Sequence, residues 1–535
     1  MSVYVKFYRI KENNVFKVLI NNYKTMFKNE FGSYNTSKLI KDVLAGLTVA
    51  AVALPLALAF GAASVDISSG ALGVVAGLIT AIIAGIVTGV LGGGSFQISG
   101  PTGAMTVILS GIVGGKYGFS GMLCASFMAG IILLLLGILR FGRVIKFIPR
   151  PVVIGFTSGI SIVIALGQLS NFFGVSLSGD NIISKLIYFF KYCLIKIDLT
   201  TVLCSAAVVV FMAIYPKRLA KYVPSSLIAI IICTVVVKIF KIPVATIGKI
   251  PSSIINEITL SFSGFDLSSI KELISPAVTI AALGMIESLL CGTCAAGMKK
   301  ENFDSDIELI AQGIGNMTVT LFGGVPSTAA MARTSVAIKA GGVTRLTSVF
   351  QSAFLLMCVF FLSGIIGMVP YPALAGVLVM TSWKMNDFKT IGEYFKGKHA
   401  DAIVLYLVTM IATVLLDLTY AILIGVGLSF VLFVIKLTKL DMEAEEDDTE
   451  TAKVKISGVL FFANEKKFCK KLSALCTDKA LVTVDLSAVS YIDLSAAVGI
   501  RELLCEAEKE KIKIISPAAQ SAAKILKDTV LTDNR

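Results

Sequence analysis

Histidine is almost missing from this chain of 535 residues: His399 is the only one. A histidine-built zinc site, a Ser–His triad and a histidine proton relay therefore have no material. Charge is scarce too, with 16% Asp, Glu, Lys and Arg against 56% hydrophobic residues and a mean hydropathy of +0.84. Such a composition excludes an ordinary soluble enzyme and describes a polytopic membrane protein. The ten cysteines are scattered and form no external framework, so they read as reduced thiols rather than disulfides. Cys291 and Cys294 make a CxxC, but within an apolar run, where packing of small side chains explains them better than redox or metal chemistry. No nucleophile–base set stands out, so no enzymatic activity, cofactor or metal is expected. The first 38 residues hold no short apolar core followed by a cleavage site, and no signal peptide is read there.

What the chain has in abundance is long apolar segments. They fall at 43–62, 70–92, 101–113, 119–139, 151–170, 199–215, 224–240, 275–296, 307–322, 327–339, 346–367, 372–384, 400–417 and 418–437. Fourteen segments halve into seven and seven, repeats spanning about 39–240 and 275–438, with a short segment third in each. An odd number per half inverts one repeat relative to the other in the membrane. Charge placement agrees. Alternate loops carry Arg140, Arg143, Lys146 and Arg150; Lys217, Arg218 and Lys221; Lys299 and Lys300; Lys339 and Arg345; and Lys384, Lys389, Lys396 and Lys398. The positive-inside rule makes these loops and the N-terminus cytoplasmic. The net charge of +13 is then mostly a property of the cytoplasmic face, and no nucleic-acid partner is implied.

The chain divides into a basic cytoplasmic tail (1–38), a transmembrane domain (39–438), an acidic linker (439–452) and a cytoplasmic α/β domain (453–535). Val15, Phe16, Val18, Leu19 and Ile20 suggest a surface helix in the tail. In the last domain, strands are expected at 454–462, 480–486 and 511–515 and an amphipathic helix at 494–509, giving a mostly parallel sheet.

The two short segments carry the chemistry. At 322–339 the chain reads FGGVPSTAAMARTSVAIK. Gly323, Gly324 and Pro326 break the arriving helix, and Ser327 and Thr328 are good caps for a new one. Only about three turns follow, short of the roughly 20 residues that span a bilayer. A half-helix ending within the membrane offers free N–H groups and a partial positive charge, and Arg333 adds a permanent one. This describes a seat for an anion; the alternative is an Arg333 that snorkels to the interface. The stretch QISGPTGAM at 97–105 repeats the design, with Thr102, Ala104 and Met105 spaced like Thr328, Ala330 and Met331. Paired interrupted segments point to a transporter site between inverted repeats. Glu287, in AALGMIESLLC, is a carboxylate in an apolar helix: it takes up a proton or Na⁺, or it balances Arg333. Asp42 reads as the favourable N-terminal charge of the first membrane helix, Pro55 loosens that helix near its middle, and Asp417 sits at a helix–helix turn.

These residues resemble the sulfate permease (SulP) family of anion transporters. The resemblance rests on DVLAGLTVAAVALPLALAF at 42–60, QISGPTGAM, LGMIESLL at 283–290, ELIAQGIGN at 308–316 and GGVPSTAAMART at 323–334. VLFFAN at 459–464 and VDLSAVSYIDLSA at 484–496 are similar to its STAS domain. The resemblance implies a seven-plus-seven inverted-repeat fold with core (gate) and scaffold parts, a homodimer in the lipid bilayer of the plasma (inner) membrane, and elevator-like secondary active transport. By motif position it places anion binding on Phe60, Thr102, Thr328, Ala332 and Arg333, and coupling to H⁺ or Na⁺ on Glu287. Two departures concern the anion: Leu56 stands where many members have Gln, and Ala332 where vertebrate members often have Ser. Ser495 falls where stand-alone bacterial STAS proteins are phosphorylated; a helix-capping serine is the other explanation. A sulfate-type anion, bicarbonate, chloride or a dicarboxylate all suit a basic seat. A nucleobase-type carrier of the same fold and an uncoupled anion exchanger or channel are the rival readings.

Overall fold

The structure is a computed structural model. It describes residues 15–65, 71–177, 182–216, 219, 224–248, 267–416, 418–438, 441–446, 451–478, 481–506 and 512–530. Asp417 lies outside them, as do Lys217, Arg218 and Lys221. The chain forms two compact units, Met1–Gly425 and Val426–Arg535.

Each of the fourteen apolar segments is a helix. The first half holds α1 (Thr36–Ser64), α2 (Leu72–Leu91), α3 (Gly103–Val113), α4 (Gly118–Ile138), α5 (Arg150–Gly167), α6 (Leu199–Ile214) and α7 (Ser225–Ile239). The second half holds α8 (Leu267–Lys299), α9 (Ser305–Leu321), α10 (Met331–Lys339), α11 (Leu346–Ile366), α12 (Tyr371–Met385), α13 (Ala400–Leu415) and α14 (Leu418–Leu437). Among the described residues, seven helices are individually long and apolar enough to cross a membrane; α3, α7 and α13 are shorter apolar helices. Pro55 is accommodated within the unbroken α1.

Packing sorts the helices of the first unit into two groups. In the core, α1 lies against α2 and α11, α9 against α2 and α4, and α8 against α4. In the scaffold, α5 packs on α13 and α12, and α6 on α12 and α7. The main helix contacts between the groups are α1 with α12, α1 with α7, and α3 with α5. The interior is apolar and rich in small residues; Ala53, Ala57, Ala59, Ala81, Ala129 and Ala277 are fully or almost fully buried, so helices approach closely.

Two polar devices close the core at one end, and both revise what the sequence suggests. Asp42 lies in the second turn of α1, fully buried, and not at the helix's start. It caps a different helix: its Oδ1 accepts from Val343 N (2.7 Å), Thr344 N (3.0 Å) and Thr347 Oγ1 (2.9 Å), just before and within α11. The N-terminal segment forms the helix Val15–Phe31, which is docked on the core. Glu30 Oε2 accepts from Arg345 Nε at 2.8 Å with both side chains buried, and Tyr23 donates to Val90 O at the end of α2.

In the second unit a four-stranded sheet runs in the order β3-β4-β5-β6, where β3 is Asp441–Glu446, β4 Thr451–Leu460, β5 Leu481–Ile492 and β6 Ile512–Ile515. The three expected strands pair in parallel. The expected acidic linker at 439–452 is corrected in part: 441–446 is an edge strand antiparallel to β4, in a register that sets Glu443 opposite Lys455 and Glu445 opposite Lys453. Composition suggested a solvated run, but the segment extends the sheet by backbone pairing with β4. Helix α16 (Leu494–Glu506) lies between β5 and β6, flanked in sequence by α15 (Glu465–Asp478) and α17 (Gln520–Val530). Asp493, not Ser495, caps α16, accepting from Ala496 N at 2.8 Å; Ser495 is exposed beside it.

Candidate functional site

The site is built where the chain leaves its helices. Before each half-helix lies a two-residue strand, β1 (Ser99–Gly100) and β2 (Thr328–Ala329), and the two pair antiparallel with Ser99 opposite Ala329 and Gly100 opposite Thr328. Extended backbone at membrane depth survives only if its N–H and C=O groups find partners in the protein. They do. Ala330 N donates to Ile98 O (2.9 Å), Ala329 N to Ser288 Oγ (3.1 Å), Ile98 N to Thr334 Oγ1 (3.1 Å) and Ser327 N to Asn316 Oδ1 (2.7 Å). Gln97 Nε2 donates to Ser288 O (2.9 Å), Asn316 Nδ2 to Ser327 O (3.0 Å) and Gln312 Nε2 to the Ser99 hydroxyl (2.8 Å). The polar residues of QISG and ELIAQGIGN thus hold a crossing of two strands inside an apolar protein. Sequence reasoning gave Gln97, Ser288, Gln312 and Asn316 no role of their own; amides recurring in apolar helices were the available signal.

The crossing sets the start of each half-helix. α3 begins at Gly103, immediately after Thr102. α10 begins at Met331, three residues after Thr328, with Ala330 in the capping position. This differs from the expected start at Ser327 and Thr328, because β2 takes up those residues first. Neither Thr102 nor Ala330 caps its helix with a side chain, so the first-turn N–H groups of both helices are left to the site.

Thr102 and Thr328 come together from opposite halves, their hydroxyl oxygens 3.1 Å apart. Both reach Glu287 Oε2 on α8, Thr102 at 2.8 Å and Thr328 at 2.6 Å. Two hydroxyls bring two protons to three oxygens, so one carboxylate oxygen can accept from both. Phe60 of α1 is buried with its ring against the first residue of α3: a Cβ on Gly103 would stand 3.0 Å from Phe60 Cε1 and 2.4 Å from Ile164 Cδ1. Ala332, in the first turn of α10, is exposed.

Arg333 is separate from this cluster. It is fully buried and donates from Nη2 to Pro101 O at 2.9 Å, the carbonyl just before Thr102. Its Nη1 lies where a side chain on Gly100 would begin, 2.0 Å from that residue's ideal Cβ position, which is why β1 needs glycine there. Among the described residues no carboxylate comes within 4.0 Å of it, and its Nε and Nη1 have no hydrogen-bond partner. Arg333 is therefore neither a snorkelling residue nor the ion-pair partner of Glu287. Glu287 is satisfied by threonine hydroxyls, and a buried guanidinium stands behind both half-helix mouths with no countercharge.

Comparison with known proteins agrees with this architecture. Residues 39–408 match the family model described as the sulfate permease family, and residues 441–524 that of the STAS domain. The protein YvdB of Bacillus subtilis (strain 168) is 33% identical over 523 residues, covering 94% of this chain and 95% of that one. The bicarbonate transporter BicA of Picosynechococcus sp. is 28% identical over 525 residues, covering 91% and 90%. Among solved structures, the transmembrane domain of a cyanobacterial BicA superposes with a TM-score of 0.66 at 28% identity, over 73% of this chain and 98% of that one. The murine Slc26a9 anion transporter in its inward-facing state shares the fold at a TM-score of 0.83 and 18% identity, over 99% and 93%.

Proposed function

The chain belongs to the sulfate permease family, and from that premise we propose that it is a secondary active transporter of a small inorganic anion, coupled to H⁺ or Na⁺. The anion is of the sulfate or bicarbonate kind, as the family's description and the name of BicA suggest. Phe60, Thr102, Thr328, Ala332 and Arg333 form its seat, and Glu287 takes the coupling cation. The protein works as a homodimer in the plasma membrane with both termini in the cytoplasm.

The observation that carries this reading is the unpaired, buried Arg333 behind two converging helix N-termini. An isolated buried charge is costly unless a counterion accompanies it. An anion between the mouths of α3 and α10 would supply one, meeting first-turn N–H groups as well. With an anion bound, the local potential at Glu287 falls, and its carboxylate takes up a cation more readily. Binding of anion and of cation then favour each other, and linkage makes that reciprocal, as symport requires. A proton joins the Thr102–Glu287–Thr328 cluster without rearrangement; Na⁺ would have to part the two hydroxyls.

The packing supports an elevator-like movement. Both half-helices and Glu287 lie in the core group, which meets the scaffold through few helix pairs. Moving the core as a body would carry the seat across the membrane while keeping the crossing intact. The test is uptake by the purified protein in proteoliposomes, with a panel of labelled anions and imposed H⁺ or Na⁺ gradients. Saturable, gradient-driven accumulation of one oxyanion is expected. Flux that neither saturates nor responds to either gradient would overturn the proposal in favour of a channel.

A further inference from the structure

Between α12 and α13 the chain forms a nine-residue helix, Phe388–Lys396. At about 100° per residue its side chains fall into three sectors. Thr390 and Tyr394, one turn apart, face the protein; the first is buried and the second half-buried. Phe388 and Phe395, two turns apart, share a second sector and are 51% and 48% exposed. Lys389, Glu393 and Lys396 occupy a third, all exposed. A helix on a soluble surface needs only two faces. Three sectors match three surroundings: protein, acyl chains, and water with headgroups.

The neighbouring residues extend each sector. Trp383, in the last turn of α12, is 63% exposed, and its ring centroid lies 5.0 Å from that of Phe388. Exposed tryptophan is characteristic of the headgroup level of a bilayer. Lys384 and Lys398, both exposed, flank this helix in sequence and add positive charge near it. Three carboxylates face or flank it. Asp387 is committed to anchoring the helix: it accepts from Thr390 N (3.1 Å) and Thr390 Oγ1 (2.5 Å) and lies 3.7 Å from Arg150 Nη2 at the start of α5. The Thr390 hydroxyl, aided by Arg150, holds the Asp387 carboxyl below its ordinary range, so that charge is fixed in place. Asp401 is half-buried in the first turn of α13, and Glu393 is exposed within the basic sector, as is the engaged Asp387 beside it. Four lysines therefore dominate beside an exposed aromatic face.

We propose that Phe388–Lys396, together with Trp383, is a seat for anionic phospholipid, with aromatic side chains among the acyl chains and the lysines at the headgroup phosphates. The seat belongs to the scaffold, anchored on α5 through Asp387, so bound lipid would hold the scaffold to one leaflet. It does not depend on which anion is carried.

Trp383 is the only tryptophan in the chain, so its fluorescence reports this place in the full-length protein. The protein is reconstituted in mixed phosphatidylcholine and phosphatidylglycerol vesicles, with bromine on the acyl chains of one lipid or the other. Brominated phosphatidylglycerol should quench Trp383 about two- to five-fold more effectively than brominated phosphatidylcholine at equal mole fraction. The preference should shrink at high salt. K389Q/K396Q/K398Q should lose the preference yet remain quenched by both lipids. Equal quenching by the two lipids in the unsubstituted protein would overturn the proposal, leaving apolar contact without headgroup selection. No quenching by either would also overturn it, and would mean that protein, such as a second copy of the chain, covers this face.

Discussion

The two half-helices meet at one crossing but present different mouths. At α3 the first turn is walled in: Gly103, Ala104, Met105 and Thr106 are buried, and Phe60 and Ile164 close on Gly103. At α10 Met331 and Ala332 are exposed, and the charge, Arg333, sits buried behind them. One half supplies a fixed wall and the other an open, positively charged door. The repeats share a backbone plan, and under the proposed function they divide the binding work unequally.

The largest expected effect comes from removing the charge that makes the mouths unequal. Arg333→Ala should weaken anion binding by at least about 30-fold, and Arg333→Lys should recover only part, because a point charge does not reproduce the fork that reaches Pro101 O. Unchanged affinity by calorimetry on folded Arg333→Ala would show that the mouths are electrically equivalent. Next, Glu287→Gln, which mimics the protonated carboxyl, should abolish gradient-driven accumulation while exchange of labelled for unlabelled anion persists. Accumulation that survives the substitution would place coupling elsewhere.

Steric tests distinguish wall from door. Gly103→Ala should lower stability by about 1–3 kcal/mol, since its methyl has no room beside Ile164 and Phe60. Ala332→Ser, at the exposed mouth, should change stability by less than about 0.5 kcal/mol. Equal shifts in melting temperature would erase the distinction. Thr102→Val and Thr328→Val each remove a hydroxyl that donates to the Glu287 carboxylate, so each should strengthen proton binding there by about 1 kcal/mol, roughly a five-fold shift in half-saturation. A much larger effect of one would reveal which hydroxyl Glu287 depends on. The smallest effect is expected from removing 439–535. Rate or expression should change, but the order of anion preference should not, because both mouths lie in the first unit; a reordered panel of uptake rates would contradict this.

Much of this was legible in the sequence, for identifiable reasons. Hydropathy located the fourteen helices of the two repeats, because lipid demands long apolar runs whatever their partners. The Gly–Pro breaks located both half-helices, and Thr102, Thr328 and Glu287 converge as one cluster. The start of α10 was misplaced because β1 and β2 are two residues each, too short to show alternation, and depend on a partner in the other half. Asp42 was misread for the same reason: its acceptor oxygens serve residues about 300 positions away. The Glu30–Arg345 pair, 315 residues apart, leaves no local trace at all. Strand β3 was hidden by composition, since an acidic run shows no alternation and its pairing depends on the backbone of β4.

The strand crossing also sets an order of events during synthesis. Thr102 waits for Thr328, which follows 226 residues later. At a translation rate of about 5–20 residues per second this is a delay of roughly 10–45 s. During it, Gln97, Ser99 and the open end of α3 are in the nascent first half without the partners that later satisfy them. The first repeat thus emerges as an unfinished surface, completed only when β2 arrives.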